Sequence, residues 1–143
     1  MRLVLDTNVI ISALLWGGVP YQLIEAAAAG EIELVTSVAL LTELRNVLGR
    51  EHLSSRLAAQ RSSVEQAIVF YGELAISVSP LSTPRVVPND PDDDHVIAAA
   101  VASGAALVVS GDRHLLSMGN HQNIVIVNAA DAIRRANDAR SKT

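Results

Sequence analysis

A handful of short, almost purely aliphatic runs decides most of what this chain can become. Residues 2–5 (Arg-Leu-Val-Leu), 106–110 and 124–127 are such runs, 32–36 alternates apolar with polar residues, and 75–78 is a further short candidate. Each is too short for a helix, and each stops at polar residues or glycine. Between them lie longer segments with apolar residues at helical spacing. A strand that reads as continuous Val, Ile and Leu is buried on both faces, which is the signature of a parallel sheet covered by helices. Strands alternating with helices therefore predict an α/β fold of three layers, αβα, with a central parallel sheet flanked by helices.

The intervening segments carry their own start and stop signals. Val9 to Leu15 reads as helix and breaks at Gly17-Gly18. Pro20 opens a second helix at a position where its missing N–H is harmless, and Gly30 closes it. Ser37 can cap a helix over 38–49; further helical patterns cover 51–60 and 63–74. Pro80, Pro84, Pro88 and Pro91 mark a loop. Asp90-Pro91-Asp92-Asp93 is a helix start, with an acidic cap, proline at the first helical position and acids in the first turn; that helix ends at Gly104. A short helical turn runs through Leu115-Leu116, and Asn128 caps a last helix over 129–137. With 143 residues and no internal linker, the chain reads as one domain over 1–137 and a polar, frayed tail over 138–143.

Composition removes whole classes of chemistry. There is no cysteine, so disulfides, thiolate metal sites and thiol catalysis are excluded. The single lysine, Lys142, stands next to the C-terminus, which nearly removes lysine-based mechanisms. Only four aromatic residues are present, too few for base stacking on aromatics to be the main mode of nucleic-acid binding. No apolar stretch approaches the roughly 20 residues needed to span a membrane, and an acid at position 6 interrupts any signal-peptide pattern. The expectation is a soluble cytoplasmic protein without a membrane role. No Gly-rich phosphate loop, nucleophile elbow or dinucleotide fingerprint occurs. His52, His95, His114 and His121 have no ligand spacing and read as incidental.

Open parallel sheets place their sites beyond the carboxyl ends of the strands. Asp6, followed by Thr7 and Asn8, stands after the first strand, and Asp112 stands after 106–110. Helix capping alone could account for either aspartate. Glu43 sits on the border of an apolar stripe, three residues after Leu40 and four before Val47. In the run Asp90, Asp92, Asp93, Asp94, the last two fall three or four residues before Ile97, so both face the apolar side of their helix. Helical geometry alone does not choose between Asp93 and Asp94. Gathered carboxylates repel by about 4 kcal/mol per pair at about 4 Å and an effective dielectric near 20. A fold that gathers them needs a cation, and oxygen-only donors select Mg²⁺ or Mn²⁺.

Together these residues resemble the PIN domain. Leu5-Asp6-Thr7-Asn8-Val9, a helical Glu43, the Asp-Pro-Asp-Asp-Asp run at 90–94 leading into Val96-Ile97-Ala98-Ala99-Ala100, and Val108-Val109-Ser110-Gly111-Asp112 carry the likeness over about residues 2–130. The chain is most similar to the single-domain bacterial, VapC-like PIN proteins that act as toxins of type II toxin–antitoxin pairs. The resemblance implies an Mg²⁺- or Mn²⁺-dependent endoribonuclease that inhibits translation and growth. It also implies a cognate antitoxin partner and a homodimer or higher homo-oligomer. It assigns Asp6, Glu43, Asp94 and Asp112 to the catalytic, metal-holding quartet. Thr7, Asn8, Ser110 and Asp93 support it. Asp6 and Asp112 become the main ligands, Asp94 a ligand directly or through water, and Glu43 the holder of a water or a general base. Arg45, Arg50 and Arg113 are candidates for phosphate contact. His114, where relatives often carry an acid, departs from the pattern and bears on a second metal position. Two other readings compete: a non-catalytic PIN-fold interaction module, and a phosphoaspartate phosphotransfer domain. The second lacks both the aspartate two residues after Asp6 and a mid-chain lysine.

Overall fold

The computed structural model describes residues 1–81, 83 and 91–141, with the side chains of Pro91 and Asp92 outside that set. Six strands and eight helices follow one another in it. They are β1 (Arg2–Leu5), α1 (Thr7–Trp16), α2 (Gly18–Ala28), β2 (Glu33–Ser37), α3 (Val38–Leu48), α4 (Glu51–Ala59) and α5 (Val64–Leu74). Then come β3 (Ile76–Val78), α6 (Pro91–Ser103), β4 (Leu107–Val109), α7 (Arg113–Met118), β5 (Asn120–His121), β6 (Ile124–Val127) and α8 (Ala129–Ser141).

The strands form one sheet in the order β3-β2-β1-β4-β6-β5. All pairs are parallel except β5 with β6. The chain builds outward from β1 through β2 to β3, then returns to the other side of β1 for β4 and β6. The order reverses between β1 and β4, and at such a point the flanking connections leave in opposite directions and open a crevice.

Alternation along β1 explains the three layers. Leu3 and Leu5 enter one core with residues of α1, α2, α3, α4, α5 and α8, whereas Val4 enters a second core with Val96, Ile97, Ala99 and Ala100 of α6 and Leu115 of α7. Both faces are thus dry, as the unbroken aliphatic reading required. Ser37 Oγ accepts from Leu40 N at 3.3 Å and Asn128 Oδ1 accepts from Asp131 N at 2.8 Å, so both expected caps form. The expected cap at Asp90 and most of the proline loop lie outside the described residues.

The structure departs from the sequence reading at three places. β5 was not expected; it pairs antiparallel with β6 across Gln122 and Asn123, both at positive φ, in a tight two-residue hairpin. α8 continues to Ser141, and Arg140 donates to Glu31 Oε1 at 2.6 Å, so the helix runs past the expected end at 137. α2 begins at Gly18, ahead of Pro20.

Candidate active site

Leu5 and Val109 are register partners on neighbouring parallel strands, so the residues after them, Asp6 and Ser110, leave the sheet side by side at the reversal point. Asp6 N donates to Val109 O at 2.9 Å, and Ser110 Oγ donates to Asp6 Oδ2 at 2.8 Å. The same hydroxyl oxygen accepts from Asp112 N at 2.9 Å. Ser110 is wholly buried, and its single hydroxyl ties the end of β1 to the turn after β4.

From Asp6 the contacts continue the other way. Asp6 Oδ1 accepts from Thr7 N at 2.8 Å, and Thr7 Oγ1 donates to Glu43 Oε2 at 2.8 Å. Hydrogen bonds therefore connect Asp112, Ser110, Asp6, Thr7 and Glu43 through three elements distant in sequence. Capping is part of this picture: Asp6 caps α1, and Asp112 caps α7 by accepting from His114 N at 2.7 Å. A cap occupies one carboxylate oxygen, however, and Asp6 spends its other on Ser110.

Asp93 and Asp94 are 4% and 1% exposed. They open α6, whose apolar face packs on β1 and β4 through Val96, Ile97, Ala99 and Ala100. A first-turn acid that only serves the helix dipole has no reason to be buried, because the dipole term is available at the surface. Burial therefore does not choose between the two aspartates.

Other expectations fare differently. Asn8 is exposed on the first turn of α1. Arg45 is paired with Glu65 of α5 at the surface. Arg50 and Arg113 are exposed. Among the described residues, no three acidic or imidazole groups already converge as a ligand cluster, so the expected quartet is not a ready-made cage. The donor set nevertheless fits a hard divalent cation in kind, since every side chain in it offers oxygen. Mg²⁺ typically takes one or two protein carboxylates and keeps several waters. His95, read as incidental in the sequence, follows Asp94 and lines a cavity with Ser37.

The sequence from Arg2 to His114 matches the family model of the PIN domain. The chain belongs to the PIN-domain family. The match includes Asp6, Glu43, Asp93, Asp94, Ser110 and Asp112. Two solved structures share the PIN-domain fold. A crystal structure of VapBC2 from Rickettsia felis bound to a DNA fragment from their promoter has a TM-score of 0.59 at 13% identity, over 90% of this chain and 98% of that one. A crystal structure of FitAcB from Neisseria gonorrhoeae has a TM-score of 0.57 at 16% identity, again over 90% of this chain and 98% of that one. A comparison with curated proteins finds no match.

Proposed function

We propose that this PIN domain is an Mg²⁺- or Mn²⁺-dependent endoribonuclease, the toxin of a toxin–antitoxin pair that arrests growth in the cytoplasm by cutting RNA. The observation that carries the reading is the hydrogen-bonded series Asp112–Ser110–Asp6–Thr7–Glu43 at the sheet's reversal point; Asp93 and Asp94 are buried near the start of α6. A purely structural role explains the caps but not the second bond at Asp6 from Ser110 or the link from Thr7 to Glu43.

Asp6, Asp94 and Asp112 would hold the cation, some of them through water. The cation, when bound, supplies charge stabilisation at a phosphoryl oxygen. The remaining work belongs to the chain. Ser110 and Thr7 fix the orientation of Asp6, so little reorganisation is left for the reaction itself. Glu43, held in place at Oε2 by Thr7, would accept a proton from the attacking water. The water oxygen bonds to phosphorus, the opposite P–O ester bond breaks, and the departing oxygen takes a proton from solvent.

A nuclease that cuts the RNA of its own cell needs a partner that closes this crevice. The pool of carboxylates fits a small antitoxin protein that inserts an arginine or another cation. A homodimer or higher homo-oligomer is proposed with it. The direct test is incubation with total cellular RNA in Mn²⁺, in Mg²⁺ and in EDTA, with end mapping of the products. Cleavage in either ion, lost in EDTA and in Asp6→Asn, is expected. Equal cleavage by the parent and by Asp6→Asn, or none in either ion, overturns the reading.

A further inference from the structure

We propose that the cavity at His95 is a subsite for a single nucleobase, that of the nucleotide next to the phosphate held at the carboxylates; this rests on the nuclease reading above. The register fixes where the cavity lies. Val4 pairs with Val35, so Asp6 and Ser37 each stand two residues beyond that register pair, at the carboxyl ends of adjacent strands. Ser37 in turn is the partner of Val78 on β3. A cavity of about 270 Å³ begins at Ser37 and lies on the side of β2 and β3 away from β4. Ser37, Val38 and Ala39 at the start of α3, Val78 and Pro80 at the end of β3, and His95 of α6 line it. It therefore sits on the same rim as the acids, within one nucleotide's reach of them.

The lining suits a base. Val38, Val78 and Pro80 give apolar walls, and the imidazole of His95 gives a flat ring on which a base can stack. Ser37 Oγ accepts from Leu40 N and keeps its own O–H to donate, while an imidazole adds further hydrogen-bonding nitrogens. Val38 is 74% exposed, on the first turn of a helix whose Leu40, Leu44 and Leu48 are buried. Size points the same way: drug-sized ligands occupy about 300–1,000 Å³, and this cavity is smaller, room for one base. Electrostatics does too, because the neighbouring carboxylates repel phosphates. Grip on the flanking nucleotide must then come from its uncharged part. Trp16 does not serve, since it lies at the far end of α1, ten residues or about 15 Å from Asp6.

The test uses the full-length Asp6→Asn protein in Mg²⁺ with fluorescent hexaribonucleotides of A, C or U, read by anisotropy. One homopolymer is expected to bind at least fivefold tighter than the others. His95→Ala and Ala39→Leu, which alter the cavity from different helices, are each expected to level that preference, with melting temperatures close to the Asp6→Asn protein. His95→Phe keeps a ring and should retain affinity while losing discrimination. With Asp6 intact, the base beside the mapped cut becomes degenerate in His95→Ala. The subsite is overturned if the Asp6→Asn protein binds all three hexamers alike, or if His95→Ala and Ala39→Leu keep its preference. The latter result, alongside normal metal-dependent cleavage by the parent, leaves the nuclease standing. A parent that cuts no RNA, with a His95-dependent base preference intact, removes the nuclease reading and leaves the subsite.

Discussion

Ser110 uses one hydroxyl twice, as donor to Asp6 Oδ2 and as acceptor for Asp112 N–H, in a fully buried position. Ser110→Ala leaves two polar atoms without that partner, so a loss of about 1–3 kcal/mol in urea unfolding is expected. RNA cleavage should fall with it even where the variant is fully folded. An unchanged rate would show that the link between Asp6 and Asp112 does not position the site. Tyr71 makes the opposite kind of demand. Its hydroxyl is buried on α5 without a hydrogen-bond partner among the described residues, and burial pushes its pKa well above the usual phenol value of about 10. Below that value the side chain is neutral in both states and contributes no pH dependence. Above it the unfolded chain releases a proton that the folded one keeps, so stability falls by about 1.4 kcal/mol per pH unit. Tyr71→Phe should be close to neutral at pH 7. Compared with the parent at pH 10.5 to 11, it should lose that part of the alkaline decline. Parallel pH profiles for the two proteins would count against the argument.

At the scale of elements, the joints matter more than the rods. α1 and α2 meet at a bend of 95°, and Gly17 turns the corner at φ +73° and ψ −129°. That region is essentially closed to other residues. A methyl group there would meet no atom within 4 Å, so strain alone should make Gly17→Ala cost about 1–3 kcal/mol. Gly111, equally open but without a positive φ, provides the contrast: Gly111→Ala should be neutral or stabilising by up to about 1 kcal/mol. Equal losses at both positions would refute a conformational cause. α4 depends on another joint. Gln60 Nε2 donates to Leu15 O at 2.8 Å, and Arg56 lies 4.6 Å from the centre of the Trp16 ring, so the last turn of α1 is capped by a helix far along the chain. Local signals marked the caps at Ser37 and Asn128 because a short polar side chain bonding to its own first turn is a local event. They missed β5, because Gln122-Asn123 lacks the Asn-Gly or Asp-Gly signature of a tight hairpin.

For the whole molecule, the testable consequence is the response to a cation. Asp6, Asp93 and Asp94 are all more than nine-tenths buried, and a ligand that binds only the folded state raises stability by RT ln(1 + [L]/Kd). At a hundred times Kd that is about 2.7 kcal/mol. The melting temperature should therefore rise by several degrees from EDTA to excess Mn²⁺, and Asp6→Asn should lose most of the rise. An identical melt in both conditions would argue that the carboxylates do not share an ion. Asp94→Asn and Asp93→Asn, compared side by side for the same shift and for RNA cleavage, are expected to show the larger loss at Asp94.

Much of this was written in local sequence. The aliphatic runs made strands that must be buried on both faces, and each of the candidate acids was visible from its place just after a strand or on the apolar side of a helix. Strand type, helix limits and the class of fold follow from period and capping, which act over a few residues. What the chain's order could not reveal was the reversal at β1, which puts the end of β1 beside the end of β4, 104 positions away, and lets Ser110 bridge them. Nor could it show that Thr7 reaches Glu43, that Asn8 faces outward, that Arg45 is taken by Glu65, or that Ser37 and His95 share a cavity. Those are facts of strand order and register. They arise because burying two faces of one sheet selects a single global arrangement, and only that arrangement brings distant side chains within a hydrogen bond's length.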